Sequence, residues 1–97
     1  EKAVHVADIQ QVVCMHYGLT LIDLKSTRRE RRIARPRQLA MYLAKELTTS
    51  SLSTIGSRFG HYNHTTVLYA VKCVSDQRAV DKDFDNHVKE LESRIKS

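Results

Sequence analysis

The sequence predicts an all-α fold: one compact helical domain over residues 1–97 that contains a helix-turn-helix. Three observations predict it. Apolar residues recur at helical spacing almost throughout, with no strand-like alternation. Chain breakers are scarce, with three glycines and one proline in 97 residues. Residues 51–74 hold a short apolar-faced segment, a tight break at Gly60 and a second helical segment, the pattern of two helices joined by a turn. The length suits a single domain. A hydrophobic fraction of 41% supplies a modest core, and no apolar run approaches the length of a membrane span.

Each element follows from local chemistry. Val6, Ile9, Val13 and Tyr17 fall on one face of a first helix, which Gly18 ends. "TLIDLKS" is short, with Asp23 or Ser26 as its caps. A basic loop over 25–37 follows. Pro36 is expected in the first turn of the next helix, where its missing N–H costs nothing. Leu39, Ala40, Leu43 and Leu47 make that helix's stripe, and Thr48, Thr49 and Ser50 stop it. Ser51 caps a short helix carrying Leu52, Ile55 and Phe59. Asn63 caps the next, whose inner face is expected to be Val67, Leu68, Val71 and Val74. A last helix over 81–96 carries Phe84, Val88, Leu91 and Ile95, with charges of alternating sign on its other face. No internal repeat and no low-complexity segment interrupts the series.

Charge is concentrated. The chain carries +5, yet residues 25–37 alone hold seven basic side chains and one acid, Glu30. The rest of the chain is nearly neutral, so the molecule is a helical body with one cationic patch, which attracts a polyanion. Nucleic acid ranks first among such partners. An anionic membrane ranks lower, because no aromatic residue interleaves with the basic stretch before Tyr42. Cys14 and Cys73 lie far apart and form no CxxC pair, so both are expected to be buried free thiols, as suits a reducing, intracellular compartment. The opening "EKAVHVADIQ" lacks the apolar stretch of a signal peptide. It begins on Glu1 rather than Met, as a processed product or a piece of a longer chain does.

The second helix of the pair opens with Tyr62, Asn63, His64, Thr65 and Thr66. These are short polar groups able to meet base edges: Asn can pair with adenine, Thr with a thymine methyl, and His can donate to an acceptor. Recognition helices place such N-terminal residues in the major groove. Each also has an ordinary structural reading, Asn63 as a cap, Thr66 as a partner of a backbone carbonyl and His64 as a surface histidine. The arginine loop changes the balance. Arg28 and Arg29 suit a narrow minor groove. Arg31, Arg32, Arg35, Arg37 and Lys45 suit phosphates, with Arg58 as a further clamp and one or two arginines anchoring the loop to the body.

"STRRERRIARPRQLAMYLAKELTTSSLSTIGSRFG" followed by "HTTVLYAV" closely resembles the C-terminal DNA-binding domain family of bacterial DnaA replication initiators, from about Val4 to Val74 and more loosely beyond. The resemblance implies an all-helical domain that binds short duplex boxes near replication origins, bends the duplex somewhat, and takes part in origin recognition or its regulation. It implies a minor-groove role for Arg29 and major-groove readout by His64, Thr65 and Thr66. It also implies phosphate or base contacts by Arg37, Gln38 and Lys45, and approach of the turn at Leu52 and Ser53 to the DNA. Where the family usually reads "GGRDHTTV", this chain reads "GHYNHTTV". His61, Tyr62 and Asn63 replace Gly, Arg and Asp, which leaves His61 beside the DNA backbone and substitutes a group that donates for one that only accepts. Altered or relaxed box preference is the expectation.

An enzyme is not expected. There is no GxxxxGK[ST] phosphate loop, no nucleophile–base arrangement, and no set of four zinc ligands at workable spacing. No cofactor or metal is implied. Double-stranded DNA is the expected partner, with other initiator or regulatory proteins as further ones, and the isolated domain is expected to be monomeric, cytoplasmic and nucleoid-associated. The competing class is a basic protein-docking module, or a transcription regulator whose nucleic-acid binding is weak and mostly non-specific. Sequence selectivity in duplex DNA separates these readings; salt dependence alone does not.

Overall fold

The computed structural model describes residues 3–97; residues 1 and 2, the start of the expected domain, lie outside them. Six helices follow in order: α1 (Val6–Tyr17), α2 (Leu21–Leu24), α3 (Arg31–Leu47), α4 (Leu52–Arg58), α5 (His64–Val80) and α6 (Lys82–Lys96). No strand occurs among the described residues, and the fold is all-α as the apolar spacing predicts.

α3 forms the centre. It packs on α1, α2, α4 and α5, and that position explains why it is buried on nearly every side from Leu39 to Ala44. Ile9 and Val13 of α1, Leu24 of α2, Ile33 and Leu43 of α3, Ile55 of α4, Phe59, and Val67 of α5 close the core around it, with Val88 and Leu91 contributed by α6. Burying a side chain of this kind stabilises the fold by roughly 1.5–3 kcal/mol.

The helix ends follow capping chemistry, with corrections to the sequence reading at α2 and α3. Gly18 ends α1 at φ 67°, the left-handed conformation that glycine adopts without a Cβ penalty. Ser51 accepts from the Thr54 N–H at 3.1 Å. Thr20, rather than Asp23 or Ser26, caps α2. Its hydroxyl accepts from the Asp23 N–H at 3.1 Å, and the Asp23 carboxylate accepts back from the Thr20 N–H at 3.4 Å. A side-chain acceptor three residues after the cap, here the Asp23 carboxylate, makes this reciprocal pair possible. α3 begins at Arg31, so Pro36 lies inside the helix rather than in its first turn. The proline forfeits the bond that would reach the carbonyl of Arg32.

The inner face of α5 also differs from expectation. Val67, Ala70 and Val74 are buried and Val71 is half-buried, whereas Leu68 is 54% exposed. Leu68 lies about 100° around the helix from Val67, and the small Ala70 supplies the contact with the core instead. α6 buries Val88, Leu91 and Ile95 as expected, with Phe84 half-buried. It is held to α1 by the Tyr17 hydroxyl and His87 Nε2 at 2.9 Å. Cys14 and Cys73 are free, but each is half-buried rather than buried. Both sit at the margin of their helix's packed face.

The turn between α4 and α5 is tight for two reasons. A Cβ on Gly56 would overlap the Tyr62 carbonyl oxygen, and the Tyr62 N–H donates to the Gly56 carbonyl at 3.0 Å. Gly60 sits at φ 99°, and a Cβ there would overlap the Lys25 carbonyl oxygen. His61 adopts φ 68° without being glycine, a conformation that costs an L-residue roughly 1–2 kcal/mol.

Candidate nucleic-acid interface

The interface is built on the start of α5. Asn63 is its cap: Oδ1 accepts from the Thr66 N–H at 3.0 Å, from the Thr65 hydroxyl at 2.5 Å and from the Thr66 hydroxyl at 3.3 Å. That oxygen is committed, which leaves the amide N–H groups as the part of Asn63 free to meet a ligand. His64, Thr65 and Thr66 are exposed on the first turn. Leu68 and Tyr69, 54% and 63% exposed, continue the same strip one turn on. Neither is among the residues the sequence nominates, since an inner face of Val67, Leu68, Val71 and Val74 points Leu68 into the core. The signal was present in the stricter spacing of Val67, Ala70 and Val74.

The basic segment divides into three groups. Arg28 pairs with Glu30 at 3.1 Å and Asp23 at 3.6 Å, and Arg32 pairs with Glu30 at 3.7 Å. These are surface pairs, worth about 0–1 kcal/mol each, and a polyanion can displace them. Arg29, Arg31 and Arg35 are exposed and make no ion pair among the described residues.

Arg37 is the third group and corrects an expectation. It is 7% exposed rather than presented to a phosphate. Its guanidinium donates to the Ser26 carbonyl at 2.9 Å and to the Arg28 carbonyl at 2.7 Å, and it lies over the Tyr62 ring, 5.3 Å from the centroid. Tyr62, expected at the major groove, is likewise turned inward. It is half-buried, and its hydroxyl donates to the same Ser26 carbonyl at 2.5 Å. The physical reason is shared: two carbonyls of the loop need donors, and these two side chains reach them. Carbonyls carry no net charge, so Arg37 anchors the loop and still contributes its positive field.

Lys45, Ser53, Arg58 and His61 are exposed, and Leu52 is half-buried at the start of α4. Gln38 is half-buried and shares a cavity of about 470 Å³ with Arg35, Tyr69 and Gln77. Arg58 lines a different groove with Thr54, Ser50 and the start of α1; no residue of the basic loop belongs to it. Its carbonyl accepts from Gln10 Nε2 at 2.8 Å, which ties α4 to α1. Among the described residues no three His, Cys, Asp or Glu side chains gather to hold a metal ion. No helix is long and apolar enough to cross a membrane.

A short helix, a glycine-dependent turn and a second helix that opens on exposed polar residues, set in a molecule with a group of unpaired arginines, define the helix-turn-helix class of DNA-binding domains. The family model for the bacterial DnaA protein helix-turn-helix matches residues 6–74, and the chain belongs to that family. Similar proteins carry the name chromosomal replication initiator protein DnaA. That of Zymomonas mobilis is 52% identical over 94% of this chain and that of Caulobacter vibrioides 47% over 99%. That of Caulobacter sp. strain K31 is 56% identical over 84%. The chain spans 17–20% of the length of these relatives.

Proposed function

We propose that this chain reads initiator-type boxes in duplex DNA, in origin recognition or its regulation, with the recognition helix over 63–74 in the major groove and Arg29 in the minor groove. The observation that carries the reading is the exposure of His64, Thr65 and Thr66 on the first turn of α5, in the same molecule as an exposed Arg29 that makes no ion pair among the described residues. His64, Thr65 and Thr66 meet base edges, the two threonines through their methyl groups while their hydroxyls donate to Asn63 Oδ1 and support the turn. Leu68 offers apolar contact to a thymine methyl. Arg31, Arg32, Arg35, Lys45 and Arg58 contact phosphates, as do Ser53 and His61. Such contacts place the domain without reading sequence. Arg28 flanks Arg29 and is released from Glu30 on binding.

The committed Oδ1 of Asn63 refines the expected change in preference. Its amide can only donate outward, and every purine and thymine presents a major-groove acceptor. The base pair facing residue 63 is therefore read loosely, in contrast to a carboxylate, which selects cytosine N4.

Titration against an A·T-rich initiator box, a scrambled duplex and a box series varied at the cytosine, at two salt concentrations, tests the reading. A preference for the box at both salt concentrations is expected, with little discrimination across the cytosine-varied series. Equal, weak and salt-sensitive binding to all duplexes would reduce the arginines to an electrostatic anchor and overturn the proposal.

A further inference from the structure

We propose that Tyr62 and Arg37 are positioning residues that fix the basic loop against the start of the recognition helix, so that minor-groove and major-groove contacts are delivered in one register. The inference rests on the DNA-binding reading above and adds a device to it.

Tyr62 immediately precedes the Asn63 cap of α5. Its backbone is pinned to α4, because its N–H bonds the Gly56 carbonyl and its own carbonyl fills the space a Cβ on Gly56 would occupy. From this fixed point its hydroxyl crosses to the Ser26 carbonyl, 36 residues away in sequence. The same carbonyl accepts from Arg37, whose second nitrogen takes the Arg28 carbonyl. The next residue is Arg29. Gly60 abuts the Lys25 carbonyl on the other side of the turn. Residues 26 and 28 of the loop are thus held by Tyr62 or by the arginine stacked on it, and residue 25 lies against Gly60.

The energetic logic is preorganisation. A free loop must be ordered when Arg29 enters a groove, and fixing the backbone of one residue costs about 1–2 kcal/mol. Here that ordering is done in the folded protein. Tyr62 and Arg37 touch loop carbonyls and each other, so they act through Arg29 rather than on the bases.

The test is a double-mutant comparison on the full chain. Affinities for the initiator box and for a scrambled duplex are measured for the unaltered protein, Tyr62→Phe, Arg29→Ala and the double variant, alongside thermal denaturation. Tyr62→Phe keeps the ring under Arg37 and removes one hydrogen bond, so box-over-scrambled preference is expected to fall about three- to tenfold. In the Arg29→Ala background the same change is expected to have an effect of less than about 1.5-fold. Arg37→Lys, which keeps the charge and loses the two-pronged donor, is expected to repeat the pattern and carries the test should Tyr62→Phe fold poorly.

Equal effects in both backgrounds would overturn the inference, since Tyr62 would then touch DNA itself or act only on the fold. So would a Tyr62→Phe preference identical to that of the unaltered protein. Thr65→Ala separates this outcome from failure of the parent reading. If Thr65→Ala and Arg29→Ala both weaken box preference while the Tyr62 effect is additive, DNA readout stands and the positioning role alone falls. If neither variant changes box preference, the reading and the inference fall together.

Discussion

Arg37 and Arg78 lie over tyrosine rings, 5.3 Å and 5.8 Å from the centroids of Tyr62 and Tyr42. Both are sheltered, Arg37 at 7% exposed and the Arg78 side chain at 18%. Their acceptors differ. Arg37 has only the carbonyls of Ser26 and Arg28. Arg78, in the last turn of α5, has the carboxylates of Asp85 at 2.5 Å and Glu92 at 3.5 Å, with the Tyr42 hydroxyl at 2.9 Å. The first end of α5 keeps a net positive neighbour; the other end is neutralised. A buried arginine is therefore not in itself a charge lost to the surface. The acceptor decides whether it holds structure alone or also contributes to the field that meets a polyanion.

The comparison can be broken at either node. Arg37→Met leaves the Arg28 carbonyl without a donor, leaves the Ser26 carbonyl to the Tyr62 hydroxyl alone, and removes a sheltered cation. A loss of about 2–4 kcal/mol in urea denaturation is expected, together with weaker box binding. Arg78→Met is expected to cost less, about 1–2 kcal/mol, because the partly exposed carboxylates of Asp85 and Glu92 can turn to solvent once the guanidinium is gone, whereas the Arg28 main-chain carbonyl cannot move freely. It should leave box preference unchanged, as the node stands at the far end of α5. An Arg78→Met variant that lost box preference as fully as Arg37→Met would erase the distinction between the two arginines.

Acid sharpens the comparison. The hydrogen bond from Arg78 holds the Asp85 carboxyl below its ordinary value of 3.8. A carboxyl depressed in the folded state contributes stability that is present above that ordinary value and lost as pH falls through its folded value. Burial, and then the charge of the adjacent His87, holds His16 below its ordinary 6.5. Its contribution is likewise present above 6.5 and is lost as pH falls through the lowered value, before that of Asp85. The α6 attachments should therefore weaken in two steps on acidification, His16 first and Asp85 below the carboxylate range. The Arg37 node, with carbonyl acceptors only, should persist. Guanidinium and amide chemical shifts followed by NMR over this range would show the order.

The smallest expected effect is at the turn. His61→Gly removes left-handed strain but adds freedom to the unfolded chain, so a net gain of only about 0.5 kcal/mol is expected. Thermal denaturation would register it. The Arg37–Tyr62 contacts should be unaffected, and a large loss of stability would mean that the His61 side chain holds the turn.

What was legible in the sequence was local. Ser51, Asn63 and Gly18 end helices where their side chains, or the lack of one, make them the cheapest choice within a few residues. The stripe of Val88, Leu91 and Ile95 follows from helical period alone. The pairing of α4 with α5 was legible from the tight break at Gly60 between two apolar-faced segments. The start of α3 was not legible. Pro36 sits inside the helix with its ring buried, and that burial depends on what packs around it.

The sequence by itself thus determined the all-α class, most helix ends, the concentration of charge between Lys25 and Arg37, and the polar face that opens α5. Only the tertiary structure decided how the arginines divide their labour. It turned Arg37 and Tyr62 inward onto Ser26, left Arg29 without an ion pair among the described residues, and faced Leu68 outward. The reason is range: capping and periodicity act over three or four residues, whereas the donors that satisfy the loop's carbonyls come from 9, 11 and 36 residues away. Nothing in local spacing marks those partners until the helices have packed.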